Sequence, residues 1–322
     1  MSQPDIVTVG SLFVEVTPTS HGTSLADGRN YTMAPAGAAG NVVFGLARLG
    51  VQVHFITAVG DDDFGKMLER ELESFGVSTE GVRQAIGVLT PVSFCSVDHG
   101  GGKTFSFYRF PGWSSPMQTL EATDFAAATR GRIFDFSEAA IRDPVIRPLV
   151  FQAARDARAA GVPVIYAVNL RRDSWRKTDP EIMSIQREAV KLADIVVLNA
   201  EEVNYIGGAY NVEGMRKLQS LGPRAVVMTH GGEGDVLVLL DDEQAAIPPE
   251  KVTVVYDVGA GDVFHAGLVA ELLQRDVNSL TLENLTAAVR FATAAAAIRV
   301  SSEPDPHNLP TREQVEEWMR GR

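Results

Sequence analysis

The sequence predicts an α/β fold with a central, mostly parallel β-sheet flanked by helices, and with a small additional β-sheet that serves as a lid. From about residue 37 onward, apolar β-rich runs alternate with segments of helical periodicity, a succession typical of right-handed βαβ units. The apolar runs are short and continuous rather than alternating, which indicates strands covered by helices on both faces. Two extended segments interrupt the alternation and predict the additional sheet.

The alternating elements are predicted in order along the chain. Strands are expected at residues 53–59, 132–136, 162–168, 195–198 and 225–229. Helices are expected at residues 41–49, 64–75, 144–160, 181–192, 212–221 and, as a pair, within 261–300. Glycines follow the first three helices, at the position where a left-handed residue commonly ends a helix. A last helix is expected at residues 311–319, with Thr311 and Gln314 as its capping box.

The interrupting segments are residues 10–35 and 87–115. The second contains two extended stretches joined by Asp98-His99-Gly100-Gly101-Gly102, which is a hairpin signal. We therefore expect one domain spanning residues 1–322, with a β lid formed by both segments. A small exposed sheet needs its edges and open face covered, so a homodimer through the lid is also expected.

Composition excludes several functional classes. The chain has 29 Lys and Arg against 41 Asp and Glu, a formal net charge of −12, which disfavours nucleic acid as a partner. One cysteine, Cys95, allows neither an intramolecular disulfide nor a zinc site of several thiolates. No secretory signal is visible, and no apolar run reaches the ~18–20 residues needed to cross a bilayer. A cytoplasmic protein without a membrane partner is expected.

The stretch Asp257-Val258-Gly259-Ala260-Gly261-Asp262 carries the strongest chemical signal. A β-branched run enters a Gly-Ala-Gly turn, and a helix is expected to start near Asp262. Small residues let a ligand approach the backbone, and the unpaired N–H groups and dipole of a helix N-terminus favour phosphate. A carboxylate there can take a proton from a hydroxyl group that attacks a phosphoryl group. The alternative, from this motif alone, is that Asp262 is a helix N-cap.

Two further motifs place polar side chains at a helix start. Residues 36–41 include Gly37 and end in Asn41, whose amide can hydrogen-bond a polyol. Asn199 follows a buried strand, where side chains face the ligand crevice of a parallel sheet, and Glu202 can hold water around a magnesium ion. The structural alternative for both motifs is N-capping, by Asn41 and by Asn199.

Three more stretches offer groups for a nucleotide or an anion. Thr229-His230-Gly231-Gly232-Glu233-Gly234 follows a buried strand, and its glycines leave room for a nucleotide, although a hairpin turn explains them equally. Phe107-Tyr108-Arg109 and Asn169-Leu170-Arg171-Arg172, the latter followed by Trp175, offer guanidinium forks and aromatic faces. Each of these two runs is also typical of a surface strand or loop.

Other motifs carry no function by themselves. Residues 60–67 nearly match the P-loop spacing, but Met67 stands where a magnesium-contacting hydroxyl belongs and three aspartates would repel phosphate. They are interpreted as a polar turn and helix cap. The six histidines have no zinc-like spacing, and a lone histidine is usually structural or solvated.

Together and in this order, the motifs resemble the ribokinase-like (PfkB) carbohydrate kinases along nearly the whole chain. Residues 36–41, with Gly50 and Gly60 downstream, look like the N-terminal signature of that family. Gly259-Ala260-Gly261-Asp262 looks like its C-terminal signature. The motifs from Asn199 to Glu202 and from Thr229 to Gly234 are similar to its two intermediate motifs.

The resemblance implies a lid over a sugar, with ATP and magnesium as co-substrates. Asp262 would be the base, and the amides of Gly259, Ala260 and Gly261 would form the anion hole. Glu202 would organise the magnesium ion. The nucleotide would be bound by Asn199, Thr229, Gly231 and Gly234. The sugar would be bound by Glu15, Gly37, Asn41, Tyr108, Arg109, Asn169 and Arg171.

The sequence departs from the family pattern at several positions. Tyr256 and Asp257 stand where the family usually has Asp-Thr, which leaves a monovalent-cation site open, with Asp257 as the acid that could serve it. Glu15 stands in place of a sugar-binding aspartate, Ala167-Val168 in place of an Asp-Pro pair, and Val43 where a small or hydroxyl residue is usual.

The acceptor sugar is indicated by two of the basic stretches. Tyr108-Arg109 and Asn169-Leu170-Arg171 look most like the fructokinase and 2-keto-3-deoxygluconate kinase branch. Arg109 can pair with the carboxylate of a keto-acid sugar or hydrogen-bond a neutral ketose. A fructose-type ketohexose is expected. The alternatives are a 2-keto-3-deoxygluconate kinase, a nucleoside kinase of the same fold, and a non-catalytic sugar- or nucleotide-binding homologue.

Overall fold

The computed structural model describes residues 3–20, 22–97, 103–107, 115–302 and 308–321, which form two β-sheets, ten α-helices and three short 3₁₀ helices. The strands are β1 (Ile6–Val9), β2 (Phe13–Pro18), β3 (Tyr31–Ala36), β4 (Val53–Gly60), β5 (Val82–Ala85), β6 (Val92–Val97), β7 (Lys103–Phe107), β8 (Ile133–Ser137), β9 (Val164–Ala167), β10 (Ile195–Asn199), β11 (Ala225–Thr229), β12 (Val236–Leu240) and β13 (Glu243–Ile247). The helices are α1 (Ala38–Arg48), α2 (Asp63–Ser74), α3 (Glu138–Arg142), α4 (Arg147–Ala159), α5 (Asp179–Leu192), α6 (Ala200–Gly207), α7 (Val212–Gln219), α8 (Ala260–Leu272), α9 (Leu282–Val300) and α10 (Arg312–Arg320).

The main sheet has nine strands in the order β13-β12-β11-β10-β9-β8-β1-β4-β5. The seven strands from β11 to β5 are parallel to one another, and β12 and β13 extend this edge in antiparallel fashion. The predicted fold class, a mostly parallel sheet flanked by helices with a smaller separate sheet, is confirmed.

The strand order reverses at β1, which lies between β4 and β8. From this strand the chain first builds the sheet towards β5 and then returns to build it from β8 to β13. In open α/β sheets, ligands bind beside such a reversal, at the carboxyl ends of the strands. The segments that follow β8, β9, β10 and β11 all leave the sheet at that edge.

Helices cover both faces of the main sheet, as the continuous apolar strands require. On β1, Ile6 belongs to one buried cluster together with α1, α8 and α9, whereas Val7 belongs to the other cluster together with α4 and α7. Glycine allows the helices of the first cluster to pack closely. A Cβ on Gly45 of α1 would lie 2.8 Å from the Cβ of Ala266 on α8, so this contact fixes the position of α8.

The second sheet, called the lid sheet below, has the order β3-β2-β6-β7. Its strands fall in the two segments expected to form the lid, and the predicted hairpin turn at residues 98–102 lies outside the described residues. Gly37 joins the lid sheet to α1 with a φ of 112°, and a Cβ there would lie 2.5 Å from the carbonyl oxygen of Ser11. Only glycine fits this junction.

Some predicted boundaries were wrong for identifiable reasons. Helix α1 begins at Ala38 rather than at residue 41, because Gly37 is its N-cap. Strand β1 was not predicted, since its four buried residues are too few for periodicity to show. No helix among the residues the structure describes is both long and apolar enough to span a membrane.

Candidate active site

Asp262 lies in the first turn of α8, where this helix meets the carboxyl-end edge of the main sheet. The N-cap of α8 is Gly259, in the left-handed conformation with a φ of 81°. Asp262 is therefore the third residue of the helix, and the alternative that it caps the helix is wrong. Its side chain remains free to contact groups outside α8, and the residue is partly exposed.

Two asparagines from distant parts of the chain hold the Asp262 carboxylate. The Nδ2 group of Asn41, on α1, donates to Oδ2 at 2.8 Å, and the Nδ2 group of Asn169, after β9, donates to Oδ1 at 3.4 Å. The N-cap alternative for Asn41 is thus wrong as well. Asn169 has a φ of 38°, an uncommon backbone conformation that non-glycine residues adopt mainly at special sites.

The protonation of Asp262 is set by opposing effects. Burial raises the pKa of this carboxyl to about 6, while the hydrogen bond from Asn41 and the positive charges of Arg171 and His265 lower it. A carboxylate with a pKa near 6 is ionised at neutral pH and is a better proton acceptor than an ordinary aspartate. This matches what a general base requires.

The turn before Asp262 presents backbone N–H groups to the same space. Those of Gly259 and Gly261 have no acceptor among the described residues, whereas that of Ala260 donates to the carbonyl oxygen of Asp257 at a long 3.3 Å. A Cβ built on Gly259 or on Gly261 would meet no atom within 4 Å. The backbone is therefore open to an anion, with two unpaired amides and the dipole of α8 directed at it.

Asn199 and Glu202 form a capping box at the start of α6. Asn199 is the N-cap, so the structural alternative is confirmed, and its Oδ1 accepts from the Glu202 N–H at 2.9 Å. In return, Oε2 of Glu202 accepts from the Asn199 N–H at 2.8 Å, and Oε1 accepts from the Leu170 N–H at 2.6 Å. Glu202 thus ties α6 to the segment that carries Asn169.

The described residues offer few side-chain ligands for direct magnesium binding. No group of three His, Cys, Asp or Glu side chains within the described ranges could hold a metal ion. Both oxygens of the buried Glu202 already accept backbone N–H groups, although each retains a second lone pair for water. Magnesium usually keeps several waters and binds through substrate phosphates, so these residues fit a metal that arrives with a nucleotide.

The stretch from Thr229 to Gly234 forms the turn between the antiparallel strands β11 and β12, so its hairpin alternative is confirmed. The turn also stands at the site edge, because Thr229 pairs with Asn199 in the parallel register of β10 and β11. Gly231 has a φ of 64° and, like Gly232, has no atom within 4 Å of a built Cβ. The turn is therefore uncrowded at both glycines, and its role in nucleotide binding stays a prediction.

The lid sheet brings Glu15 towards the loop before α8. Burial raises the pKa of the Glu15 carboxyl. Burial, with the nearby Cys95 and Glu15, raises the pKa of Tyr256 to about 12. Tyr108 and Arg109 lie outside the described residues, so their role stays a prediction.

The described residues do not fit a monovalent cation at Tyr256. A phenol replaces the acid that the family resemblance would place there, and the guanidinium of Arg299 lies 5.3 Å from the centre of its ring. Arg299 is buried near the end of α9. A fixed positive charge therefore already occupies this neighbourhood.

Glu138 and Trp175 were missed by the sequence analysis as a pair. Glu138 follows β8 directly, accepts the Nε1–H of Trp175, and lies 3.4 Å from Nε of Arg142. Burial raises the pKa of Glu138 to about 7. Glu202 binds the segment after β9 at Leu170, and Glu138 binds the same segment at Trp175. The two carboxyl groups therefore hold the stretch that carries Asn169 and Arg171. The rule that drew attention to Asn199, a polar residue directly after a buried strand, would have found Glu138.

Comparisons with known proteins identify the family and the fold of the chain. The model of the pfkB family carbohydrate kinases matches residues 3–312. A probable chloroplastic fructokinase-6 of Arabidopsis thaliana is 33% identical over 98% of this chain and 82% of that protein. A fructokinase of Xylella fastidiosa with bound ATP has a TM-score of 0.87 at 24% identity, covering 99% of both chains. An aminoimidazole riboside kinase of Salmonella enterica has a TM-score of 0.82 at 25% identity, covering 98% of this chain and 100% of that chain.

Proposed function

The chain belongs to the pfkB family and is a carbohydrate kinase, and we propose that it transfers the γ-phosphoryl group of ATP to a hydroxyl group of a fructose-type ketohexose. The observation that carries this proposal is the Asp262 carboxylate, held by Asn41 and Asn169 beside the open amides of the Gly259–Gly261 turn. A proton acceptor and an anion site are thereby adjacent, as phosphoryl transfer to an alcohol requires.

The proposed reaction uses Asp262 as the general base. As the sugar oxygen attacks the γ-phosphorus, its proton passes to an Asp262 oxygen, the new O–P bond forms, and the bond from the γ-phosphorus to the bridging oxygen of ATP breaks. ADP leaves with the electron pair, and Asp262 later returns its proton to water. The N–H groups of Gly259 and Gly261, together with the α8 dipole, stabilise the charge on the transferring group.

The nucleotide is proposed to enter as its magnesium complex along the carboxyl ends of β10 and β11. Asn199, Thr229, Gly231 and Gly234 line that edge. When bound, magnesium neutralises charge on the β- and γ-phosphates. Glu202 is proposed to order the water around the ion through the lone pairs that its two backbone hydrogen bonds leave.

The sugar is proposed to lie between Asp262 and the lid sheet. Glu15 reaches this space from β2, and Gly37 and Asn41 border it from the start of α1. Arg171 is exposed and near enough to Asp262 for its charge to lower that pKa. Tyr108 and Arg109 are proposed to complete the sugar site. The fructokinase names of the curated relatives support a ketohexose.

The Asp262→Asn substitution tests the base. We expect kcat to fall by about 10²–10⁴, the usual contribution of a positioned base, while the isosteric amide keeps the fold. Asp63→Asn is the matched control, since Asp63 is also an acidic residue in the first turn of a helix but belongs to α2. Its kcat should match that of the unmodified enzyme. An Asp262→Asn enzyme with unchanged turnover would remove the proposed role.

A substrate panel decides among the acceptors. Initial rates of ADP formation are to be compared for fructose, 2-keto-3-deoxygluconate, ribose and adenosine. The highest kcat/KM is expected for fructose. A preference for adenosine would favour the nucleoside kinase alternative, which the likeness to a riboside kinase keeps open. Tight sugar binding in calorimetry without any ADP formation would instead indicate a non-catalytic homologue.

A further inference from the structure

Three buried polar side chains near Asp262 are linked to one another by hydrogen bonds and form what is called the polar chain below. Its members are Thr8 on β1, Asp135 on β8 and His265 on α8, exposed by 1%, 4% and 3% respectively. His265 is three residues after Asp262, so the two side chains lie on the same side of α8. The polar chain connects the two strands at the reversal point of the sheet to the helix that carries the proposed base.

The contacts within the polar chain are short and specific. Nε2 of His265 lies 2.7 Å from Oδ1 of Asp135, and the hydroxyl of Thr8 donates to Oδ2 of Asp135 at 2.9 Å. Thr8 and Asp135 are direct register partners of β1 and β8. Nδ1 of His265 is buried and has no hydrogen-bond partner in the described part of the chain, so Asp135 alone orients the ring.

This arrangement is a poor way to stabilise a fold. The neighbours of His265 on α8 include Val263, Phe264 and Ala266, all of them buried. Transfer of two charged groups into such surroundings costs several kcal/mol per ion, and an apolar pair often serves stability as well or better. The buried Asp135–His265 contact is therefore not explained by stability alone.

The charges around the two carboxyl groups supply a further explanation. The charged groups that face Asp262 are Arg171, after β9, and His265, on its own helix; Asn41 and Asn169 face it as neutral donors. The charged groups that face His265 are Asp135 and Asp262. Burial lowers the pKa of His265, but the hydrogen bond with Asp135 and the negative charges of Asp135 and Asp262 raise it overall. These contacts favour the imidazolium form of a ring that lies one helical turn from Asp262.

We propose that His265 is a positioning residue for Asp262: the Asp135–His265 pair fixes the first turn of α8 against β1 and β8, and its imidazolium keeps Asp262 in the carboxylate form. The inference deepens the proposed function and rests on it for the role of Asp262 in proton transfer. It assigns to His265 an effect on the pH range of activity and not on substrate affinity.

The first test is the pH profile of His265→Gln, whose neutral amide can still donate to Asp135. From the Asp262 pKa of about 6, we expect the acid limb of kcat near pH 6 in the unmodified enzyme. In His265→Gln this limb should move upward by at least about half a unit, because the opposing charge is lost. KM for ATP and sugar should stay within about twofold. The matched control is His54→Gln on β4, which should leave the limb in place. A uniform fall of kcat at every pH would overturn the proposal in favour of a purely structural role.

The second test does not depend on turnover. With ¹⁵N-labelled histidine, NMR titration gives the pKa of the His265 ring in the unmodified protein and in Asp262→Asn. We expect this pKa to be lower in Asp262→Asn, because the carboxylate that favours the imidazolium is gone. An identical titration in both proteins would overturn the coupling. If the coupling is present but Asp262→Asn retains full turnover, the proposed base has failed and not the charge interaction.

A third variant tests the same contacts with a substitution that is expected to leave the fold intact. Thr8→Val removes only the hydrogen bond to Oδ2 of Asp135 and preserves the shape of the side chain. Its acid limb should move in the same direction as that of His265→Gln but by less. A stable, folded Thr8→Val enzyme whose limb moves downward would also contradict the proposed role of Asp135.

Discussion

Glu138 shows what burial does to a single residue at the edge of this site. Its side chain is 1% exposed, and one of its oxygens, Oε2, has no partner within the described ranges. Burial is the largest cause of its raised pKa, which reaches about 7 although Arg142 and the Trp175 N–H favour the charged form. Burial thus outweighs the Arg142 charge and the Trp175 hydrogen bond, and the carboxyl group is about half protonated near pH 7.

This pKa gives a stability prediction with a definite sign. Between the unfolded value of 4.5 and the folded value of about 7, the folded state retains a proton that the unfolded chain has lost, so stability falls as pH rises. At 1.36 kcal/mol per pKa unit, the full effect is about 3 kcal/mol. Glu138→Gln lacks this titration. We expect the unfolding free energy of the unmodified protein, relative to the variant, to fall by about that amount between pH 4 and pH 8.

Urea denaturation at the two pH values measures this difference. Glu73→Gln, at an exposed position on α2, is the control and should change stability equally at both. If Glu138→Gln and the unmodified protein differ by the same free energy at pH 4 and at pH 8, the carboxyl group of Glu138 does not titrate as proposed.

At the residue scale, the sequence indicated which side chains could take part in the chemistry but not which of them contact one another. Asn41, Asn169 and Asp262 were each singled out, but nothing in their spacing showed that both amides would converge on one carboxylate. Asp135 was not considered, and His265 was considered only as one of six scattered histidines. A charged residue inside the apolar strand Ile133–Ser137, and a histidine inside the apolar helix Ala260–Leu272, were the signals available.

At the element scale, the turn before α8 must serve both the backbone and the ligand. Gly259 adopts a φ of 81°, which costs a side-chain-bearing residue about 1–2 kcal/mol. Gly76, which follows α2, has a φ of 74°, and a Cβ on either glycine would meet no atom within 4 Å. The two positions therefore have the same backbone strain and the same free space, and only Gly259 borders the proposed phosphoryl site.

Alanine substitution separates these two requirements. Gly259→Ala and Gly76→Ala should both lower the unfolding free energy by about 1–2 kcal/mol, as measured by thermal or urea denaturation. Only Gly259→Ala should also lower kcat, by roughly tenfold or more, because its methyl group enters the space proposed for the transferring phosphoryl group. Equal kcat values in the two variants would show that the turn does not approach the reacting group.

Elements were predictable where the apolar pattern was long, and their ends were not. The paired helices within residues 261–300 and the strands β4 and β8–β11 were identified from apolar runs. The starts of α1 and α8 were predicted too late, because glycines with positive φ are the N-caps of both helices. The usual N-cap preferences favour instead the asparagine and the aspartate that follow these glycines. Strand β13 was missed because its exposed edge lacks an apolar run.

At the scale of the whole molecule, the parallel sheet is what assembles the site. Asn169, Asn199 and Thr229 follow or end three adjacent strands and therefore meet at one edge. The alternation of strands and helices predicted this convergence before any contact was known. The arrangement of the lid sheet relative to that edge was not predictable, because it depends on the Gly37 junction and on the pairing of β2 with β6, which are distant in sequence.

The lid sheet leaves apolar side chains uncovered on both of its faces. Met33, opposite Val16 in register, is 55% exposed, and Phe105, opposite Cys95, is 44% exposed. Strands β3 and β7 are also unpaired edges of the described sheet. Exposed apolar surface next to open strand edges is typical of association sites, so we keep the homodimer through the lid as a prediction.

Sedimentation velocity tests this homodimer. The unmodified protein should sediment as a dimer at micromolar concentration, and a variant with Met33→Lys and Phe105→Lys should sediment as a monomer, because burial of two unpaired charges opposes association. The control carries Val145→Lys and Tyr210→Lys, two positions that are each 53% exposed outside the lid sheet, and it should remain dimeric. Circular dichroism confirms that each variant is folded. A monomeric unmodified protein, or a control that dissociates like the lid variant, would contradict assembly through the lid.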